Sequence, residues 1–286
     1  MPISGTSDVA ESAKGDTTTI RNGSSVVGVR PHGSYSVDSS RTAGGPSATQ
    51  MQTKFISSFD DPKYYGSRSS LLTNLIAWYK FNEVAGAVRR NSISDSFSFT
   101  DNNTVARATG LINYGALFVD ANNEYLSISS GSANSMGDEN VSMSIWLKFT
   151  STSSNQVIAE MWDSGQRKFQ LMYYAGDNNL RLYTSNNGTS SNYITSGLTT
   201  VSSGTWYNIV FTLSSSERRL YINNSDVSTG TTSVTIKSSS TSSLSIGGVG
   251  ELDAIVAEVG YWNKNVSTSE RSSIYNSGAG ITYPGF

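Results

Sequence analysis

Cysteine is absent from the 286-residue chain, and histidine occurs once, at His32. The lack of cysteine excludes disulfide bonds, thiolate zinc sites and a cysteine nucleophile. A single histidine excludes metal sites built from several histidines and argues against serine–histidine catalysis. His32 follows a proline and has no recognisable partner, so we interpret it as a surface residue.

Charge is also scarce. Lys and Arg number 20, Asp and Glu number 22, and charged residues make up 15% of the chain, against roughly 25% in typical soluble domains. No nucleic-acid partner is expected, because that binding needs a basic block to neutralise phosphates. No membrane segment is expected either, since no apolar run approaches roughly 18 residues. Met1–Gly5 has neither the basic nor the apolar part of a secretory signal, so no signal is expected.

The first 70 residues differ in composition from the rest of the chain. All five tryptophans lie after residue 77, whereas residues 1–70 are rich in Ser, Gly and Thr and are broken by Pro31, Pro46 and Pro62. One short extended piece is recognisable at Ser25–Val29. Such a segment cannot bury enough apolar surface to order itself. It is interpreted as an extended N-terminal arm or anchor that orders against another protein; a disordered tail is the alternative.

Residues 71–286 carry the signals of an all-β domain. Val141–Phe149 alternates strictly, with Val141 and Met143 on one side and Ser142 and Trp146 on the other, which predicts a half-buried strand. Turn residues at Ala175–Asn179 indicate a hairpin. The other predicted strands are Leu75–Phe81, Gly115–Val119, Glu124–Ile128, Lys168–Tyr173, Leu180–Tyr183, Trp206–Leu213, Arg219–Asn223, Leu244–Gly248 and Ala254–Trp262.

One helix is predicted near the C-terminus. Ser267 to Glu270 has the spacing of a capping box, Ile274 and Tyr275 supply an apolar side, and Gly278 is expected near its end. Many short strands, frequent turns and one late helix predict a two-sheet antiparallel jelly-roll sandwich.

Several blocks then resemble one family, in the family's order. The blocks are Trp78–Gly86, Gly115–Leu126, Ser142–Lys148, Gly204–Val210, Leu220–Asn224 and Leu252–Trp262, followed by the helix. Trp78–Gly86, for example, is similar to an opening of the form W-x-[FL]-[DN]-E-x-x-G. Together they resemble laminin-G-like, concanavalin A-type lectin/glucanase jelly rolls over residues 71–284. The resemblance implies the sandwich fold but no single function, because this fold hosts lectins, glycosidases, adhesion domains and spacers.

The ending Asn276–Gly280 with Tyr283-Pro284 resembles that of family members carried by tailed bacteriophages. The resemblance implies a non-enzymatic virion structural protein, either a capsid decoration or a head or tail fibre component, assembled in the host cytoplasm. Residues 1–70 would bind other virion proteins and the sandwich would face outward. A homo-oligomer is expected, because adhesion by many weak copies gains effective concentration. No cofactor is expected.

Two alternatives remain open. A carbohydrate-binding host-recognition protein would need aromatic platforms and polar side chains for a host-surface glycan. The candidate residues lie in or beside neighbouring hairpins: Trp162, Asp163, Tyr173, Tyr174, Asp177 and Asn178. The competing explanation for the aromatic ones is that they pack in the core or at its rim.

The other alternative is an atypical glycoside hydrolase. Glycosidases of this family carry a Glu-x-Asp-x-(x)-Glu cluster, because two carboxylates must flank the scissile bond. Glu251 and Asp253 begin such a cluster, but Ile255 and Val256 stand where the third acid belongs, so no catalytic residue is assigned. Glu160–Asp163 likewise lacks a third acid.

No metal site is assigned. Oxygen ligands for calcium could come from four residues of one turn, but ordinary turn hydrogen bonding accounts for them equally well; they are Asp120, Asn122, Asn123 and Glu124.

Overall fold

The structure is a computed structural model. It describes the backbone of residues 9–11, 17–22 and 25–31, and the full residues of 70–136, 140–197, 201–237, 240–248 and 251–286. The chain forms two compact units, Met1–Tyr65 and Gly66–Phe286. His32 and most of the predicted arm lie outside the described residues, so the surface position of His32, the anchoring role of residues 1–70 and the boundary at residue 70 stay predictions.

The first unit contains a small antiparallel sheet. Its strands are β1 (Val9–Glu11), β2 (Thr17–Asn22) and β3 (Ser25–Pro31), in the order β1-β2-β3. The extended piece predicted at Ser25–Val29 is therefore confirmed as part of a strand. The pairing of these strands was not predicted, because each is short and has no long periodic pattern. Pro31 ends β3, an edge position that tolerates the missing N–H group.

The second unit is the predicted two-sheet antiparallel sandwich. A seven-stranded sheet has the order β13-β12-β11-β10-β17-β8-β5. Its strands are β5 (Thr100–Asn102), β8 (Tyr125–Ile128), β10 (Gln156–Met161), β11 (Phe169–Tyr174), β12 (Asn179–Thr184), β13 (Asn192–Thr195) and β17 (Leu244–Ile246).

An eight-stranded sheet packs against it, in the order β16-β15-β14-β9-β18-β7-β6, with one further strand paired to β18. Its strands are β4 (Leu75–Tyr79), β6 (Ala106–Thr109), β7 (Tyr114–Phe118), β9 (Val141–Phe149), β14 (Trp206–Leu213), β15 (Arg218–Ile222), β16 (Ser225–Asp226) and β18 (Ala254–Trp262). Every predicted strand is present, and the predicted hairpin at Ala175–Asn179 joins β11 to β12.

Alternate side chains of both sheets fill the space between them. Met143, Leu147, Leu171, Phe211 and Leu244 belong to this core and are buried. Outward residues of the same strands then face away from the core, because side chains alternate along a strand. This alternation decides which residues of β10–β13 reach solvent.

Arg218 closes one edge between the two sheets. Its guanidinium is fully buried and donates from Nη1 to Thr184 Oγ1 at 2.6 Å, and from Nη2 to the carbonyl of Thr231 at 2.9 Å. Burial lowers the pKa of Arg218 to about 10. The bonds tie β15 of one sheet to β12 of the other, and they satisfy donors that would otherwise be costly to bury.

The outer face of the eight-stranded sheet is covered by the chain itself. Helix α2 (Thr268–Tyr275) belongs to this cover. The other helix, α1 (Ser130–Asn134), lies between β8 and β9 in the chain. A second apolar cluster unites the sheet with α2 and the C-terminal tail; its buried members are Leu71, Leu75, Trp78, Val210, Tyr221, Trp262, Val266, Ile274 and Ile281. We call this the covered face. The prediction that β9 is half-buried is wrong for this reason, since both of its faces are buried.

The predicted capping box of α2 is confirmed. Ser267 accepts from the backbone N–H of Glu270, and the Glu270 side chain accepts from the backbone N–H of Ser267. The helix ends at Tyr275, and Asn276 then adopts a left-handed conformation (φ 47°). It therefore ends slightly before the predicted glycines, because Asn also tolerates that conformation. Among the residues that the structure describes, no helix is long and apolar enough to cross a membrane.

Candidate functional site

The six predicted site residues divide between the surface and the core. Trp162 follows β10 and is half-buried, while Tyr174 is the last residue of β11 and faces outward. Tyr173 has the opposite orientation, because neighbouring strand residues point to opposite faces. It is 2% exposed, and its ring packs at 5.2 Å on Phe149. Tyr173 is thus part of the core, and its ring is not available to a ligand.

Asn178 and Asp163 hold loops in place. Asn178 has a left-handed backbone (φ 54°) in the β11–β12 turn, and its Oδ1 accepts from the hydroxyl of Tyr173 at 2.9 Å. Asp163 is exposed, and its Oδ2 accepts from the backbone N–H of Ser243 at 2.9 Å while its own N–H donates to Ser242 Oγ at 2.9 Å. These bonds join the loop after β10 to the segment before β17.

Arg181 organises the aromatic side chains beside the turn. Its guanidinium carbon lies 3.5 Å from the ring centre of Tyr174 and 4.8 Å from that of Tyr193. Its Nη2 donates to Asp177 Oδ2 at 2.7 Å. Burial alone would lower the pKa of Arg181, but hydrogen bonds with Tyr183 and Asp177 and the charge of Asp177 hold that pKa above its ordinary value. Tyr174 and Asp177 are therefore fixed by one shared cation.

A row of aromatic rings extends from this cluster across the sheet. Tyr183 lies 4.8 Å from Tyr193 and 6.3 Å from Trp162, measured between ring centroids. Arg167 lies 5.5 Å from the Trp162 ring centre. Tyr193 is 42% exposed. We call Trp162, Tyr183 and Tyr193 the aromatic row.

Sequence reasoning missed Tyr183, Tyr193 and Arg181. The alternation of Leu180–Tyr183 contained a usable signal, because buried Leu180 and Leu182 place Arg181 and Tyr183 on the outer face. Tyr193 had no such signal. It joins the row only because β13 pairs with β12 in a register that sets Tyr193 opposite Tyr183.

Glu160 lies beside the aromatic row on the same outer face. Gln170 Nε2 donates to its Oε2 at 2.7 Å, and Ser245 Oγ donates to its Oε1 at 3.4 Å. Burial raises the pKa of Glu160, and the nearby charges of Glu251 and Asp163 add to that effect. The Glu160 carboxylate is therefore a hydrogen-bond acceptor held in a fixed orientation next to the aromatic row.

Of the acids weighed for catalysis, Asp253 serves a backbone contact, and the further acid of β18, Glu258, lies apart from Glu160. Asp253 Oδ1 accepts from the backbone N–H of Asp120 at 3.0 Å, which is a structural bond. Glu258 lies in the other sheet from Glu160, is fully buried, and accepts from Trp78 Nε1 at 2.6 Å. Burial raises the pKa of Glu258 to about 7. Glu160 and Glu258 therefore cannot act on one substrate.

The turn weighed as a calcium site uses its carboxylate internally. Glu124 is buried, its Oε2 accepts from the Val119 N–H at 2.9 Å, and its Oε1 accepts from Asn122 Nδ2 at 3.0 Å. Within the ranges that the structure describes, no group of three or more His, Cys, Asp or Glu residues is placed to hold a metal ion.

The solved structures similar to this chain share its sandwich. Domain 4 of AbnA, an extracellular arabinanase from Geobacillus stearothermophilus, solved with arabinotriose, matches with a TM-score of 0.55 at 15% identity, over 70% of this chain and 97% of that domain. The binding domain of Paraclostridial mosquitocidal protein 1 matches with a TM-score of 0.59 at 12% identity, over 72% of this chain and 53% of the other.

A structure of botulinum neurotoxin type C, described as entering cells through two ganglioside molecules, matches with a TM-score of 0.55 at 10% identity, over 73% of this chain. The chain spans about half the length of these toxin structures, 53% and 52%. At such identities the likeness establishes the fold alone. A comparison with curated proteins finds no match.

A family model covers the central part of the sandwich. The model is described as the concanavalin A-like lectin/glucanases superfamily, is of the laminin-G type, and matches residues 120–270. This range contains β10–β13 and therefore the whole aromatic row. The match and the observed sandwich confirm the resemblance that the motifs indicated: the chain belongs to the concanavalin A-like lectin/glucanases superfamily.

Proposed function

We propose that the chain is a non-enzymatic carbohydrate-binding protein and that it binds glycans on the outer face of the seven-stranded sheet. The observation that carries the proposal is the aromatic row. Trp162, Tyr183 and Tyr193 lie side by side outside the core, and nothing among the described residues buries Tyr193. Sugar rings present apolar faces with polar rims, which such rings and neighbouring polar groups suit.

Rigidity of the surface supports the same function. Arg181 contacts the rings of Tyr174 and Tyr193 while it is paired with Asp177. Side chains already held in one arrangement lose little conformational entropy when a ligand binds. The arabinanase domain, which this chain covers almost completely, was solved with an arabinose trisaccharide, and this printed ligand favours a sugar for the present chain as well.

The proposal is tested with a glycan array that includes arabinotriose, ganglioside head groups and sialyl sugars, followed by calorimetric titration with a glycan that binds. Tyr193→Ala should weaken binding about tenfold, because one aromatic contact contributes on the order of 1 kcal/mol. Trp162→Ala should have a similar or larger effect.

Tyr114→Ala is the matched control. Tyr114 is 45% exposed and carries Arg107 at 4.2 Å from its ring centre, but it lies in the other sheet. Its removal should leave affinity unchanged. A silent array, or equal losses for Tyr193→Ala and Tyr114→Ala, would refute a glycan site on this face.

The proposed absence of catalysis has its own test. Glu251 and Asp253 lie in the irregular segment directly before β18, and Asp253 accepts from the backbone N–H of Asp120. We expect no release of sugars from arabinan or other polysaccharides. Turnover that disappears on Glu251→Gln would establish the glycoside hydrolase alternative instead.

We also propose that the chain acts in a tailed-phage virion, with residues 1–70 as its anchor and the sandwich displayed outward in many copies. Tyr283, which belongs to the ending that motivates this origin, packs against the covered face. Cross-linking mass spectrometry of purified particles should join residues 1–70 to another virion protein, and antibodies to the sandwich should label the particle exterior. If purified phage particles did not contain the chain, the virion role would be contradicted.

A further inference from the structure

We propose that strand β6, at one edge of the eight-stranded sheet, binds an extended acidic segment of another protein, which pairs with β6 as an added strand. The proposal goes beyond the glycan site, because β6 belongs to the other sheet. Three observations carry it: unpaired backbone groups on β6, exposed apolar side chains beside them, and an exposed arginine without an acidic partner.

The register of the β6–β7 hairpin identifies the unpaired backbone groups. Thr109 lies opposite Tyr114, and next to this pair the Gly110 N–H donates to the Asn113 carbonyl at 3.1 Å. Hydrogen-bonded and non-hydrogen-bonded pairs alternate along antiparallel strands. Thr109, and Arg107 two residues before it, are therefore non-hydrogen-bonded positions whose N–H and C=O groups point away from β7.

Tyr114 follows the same pattern on the other side of the hairpin. Its N–H points away from β6 and donates to Asn82 Oδ1 at 3.2 Å. The corresponding groups of Arg107 and Thr109 meet no hydrogen-bond partner in the part of the chain that the structure describes, and β6 is the last strand of its sheet. Two donors and two acceptors thus face outward, as strand addition requires.

A buried ion pair ends the paired part of this edge just before β6. The N–H of Val105 donates to Asp101 Oδ1 at 2.9 Å, and its carbonyl accepts from Arg89 Nη2. Arg89 and Asp101 are joined at 2.9 Å and are almost completely buried. Side chains therefore satisfy the backbone at Val105, and the opening begins at Arg107 next to a rigid support.

Exposed apolar side chains lie beside the open edge. Val84, Val88 and Tyr114 are 59%, 52% and 45% exposed, and they are three of the five large apolar side chains exposed in the described ranges. The loop that carries Val84 and Val88 reaches the start of β6, since a Cβ on Gly86 would lie 3.9 Å from Thr104 Cγ2. Clustered apolar exposure is typical of docking sites for other proteins.

Arg107 determines the charge of the segment that fits. It is exposed, its guanidinium carbon lies 4.2 Å from the Tyr114 ring centre, and none of the ion pairs among the described residues includes it. An Asp or Glu on the added strand would pair with this guanidinium across the two strands.

The same arginine disfavours a second copy of this chain as the occupant. Two antiparallel copies of β6 could form hydrogen bonds only through Arg107 and Thr109, so both Arg107 side chains would project on one face. Like charges on edge strands oppose self-pairing. The occupant is therefore a different, acidic segment.

The binding experiment selects peptides of about ten residues from a random yeast-displayed library against the full chain, and then titrates one selected peptide in synthetic form. The selected peptides should carry Asp or Glu. Arg107→Glu should weaken binding about tenfold, because it replaces an attraction by a repulsion. Thr109→Pro should weaken it about tenfold as well, since it removes one outward N–H and leaves the bonds to β7.

Arg219→Glu is the matched control. It makes the same charge change in β15, near the opposite edge of the same sheet, and should leave the peptide affinity unchanged. If Thr109→Pro does not fold, the contrast between Arg107→Glu and Arg219→Glu decides alone.

Amide hydrogen exchange, measured by NMR, locates the peptide on the strand. In the free chain the amides of Arg107 and Thr109 should exchange fast and that of Ala108 slowly, because Ala108 pairs with Gly115 of β7. The bound peptide should slow exchange at Arg107 and Thr109 about tenfold or more and leave Ala108 unchanged.

Several results would overturn the proposal. Slow exchange at Arg107 and Thr109 in the free chain would mean that the edge is already paired. A library without binders, or binders that keep their affinity for both Arg107→Glu and Thr109→Pro, would exclude strand addition at β6. Self-association of the unaltered chain that Thr109→Pro abolishes would assign the edge to a second copy instead.

Discussion

The outer faces of the two sheets differ in what lies over them. On the eight-stranded sheet, α2 and the C-terminal tail cover Trp78, Trp146 and Trp262, all of which are buried. On the seven-stranded sheet, Tyr183 and Tyr193 face outward, and Tyr193 is 42% exposed. The same residue types thus stabilise the fold on one face and are free to meet a ligand on the other, because covering apolar surface with the chain removes it from water.

The largest contrast is expected between two tryptophans. Trp262 is buried, donates from Nε1 to the Leu71 carbonyl at 2.7 Å, and meets Trp78 edge-to-face at 5.9 Å. Trp262→Ala should cost about 3–5 kcal/mol of unfolding free energy in urea denaturation. Trp162→Ala should cost about 1 kcal/mol or less, because that ring is half-buried. Equal costs would remove the distinction between the faces.

A pH-dependent contrast follows from Glu258 beneath the tail. Its pKa of about 7 in the folded chain is above the ordinary 4.5, so folding favours the protonated carboxyl. Its contribution to stability is fully present below pH 4.5 and is lost as the pH rises to about 7. The unaltered chain should lose up to about 3 kcal/mol of unfolding free energy between pH 4.5 and 8 through this group. Glu258→Gln has no ionisable carboxyl there and should not show that loss.

Denaturation at both pH values measures this difference. Asp95→Asn is the control, because the Asp95 carboxylate is exposed, whereas that of Glu258 is buried. That variant should show the pH dependence of the unaltered chain. If Glu258→Gln also shows it, Glu258 does not titrate under the tail.

A smaller effect is expected where the tail approaches the sheet. Gly280 has φ 69°, and a Cβ there would lie 2.8 Å from Leu111 Cδ2 and 3.2 Å from Trp146 Nε1. Gly280→Ala should therefore destabilise by about 2 kcal/mol through strain and crowding. Gly131→Ala in α1 has no atom within 4 Å and should be neutral or stabilising. Thermal melts of both variants compare them, and similar melting temperatures would contradict the close approach.

The smallest effect concerns the cap of the covering helix. Ser267→Ala removes the side-chain acceptor for the Glu270 N–H and should cost about 1 kcal/mol. Ser272→Ala, at an exposed position inside the same helix, should be neutral. Both variants should keep the glycan affinity of the unaltered chain. A loss of affinity in Ser267→Ala would show that the two faces are coupled.

Strong alternation made several elements predictable. The bounds of β9, β14 and β18 agree with the sequence expectation at both ends, and the capping box located α2. These signals are local: side-chain alternation and a cap act within a few residues. Strands β5, β6, β10, β13 and β16 of the sandwich were not predicted. All but the six-residue β10 have four residues or fewer, and such short strands derive their order from partner strands.

The site was predictable only in part. Tyr174 and Asp177 lie together on Arg181, and Trp162 belongs to the aromatic row at the other end of the β10–β11 pair. Tyr173 faces the core. The alternation of Phe169, Leu171 and Tyr173 was visible in the sequence and placed Tyr173 with the apolar residues. Which side of that strand meets the core depends on the opposing sheet, and that information is non-local.

The fold class, the family, the main strands and the C-terminal helix follow from local pattern and ordered motifs in the amino-acid sequence. Which sheet the C-terminus covers, and which residues stand in register across β8, β17 and β10–β13, is settled by how the chain folds. Strand register and coverage are set by contacts between distant segments, and no local pattern specifies them.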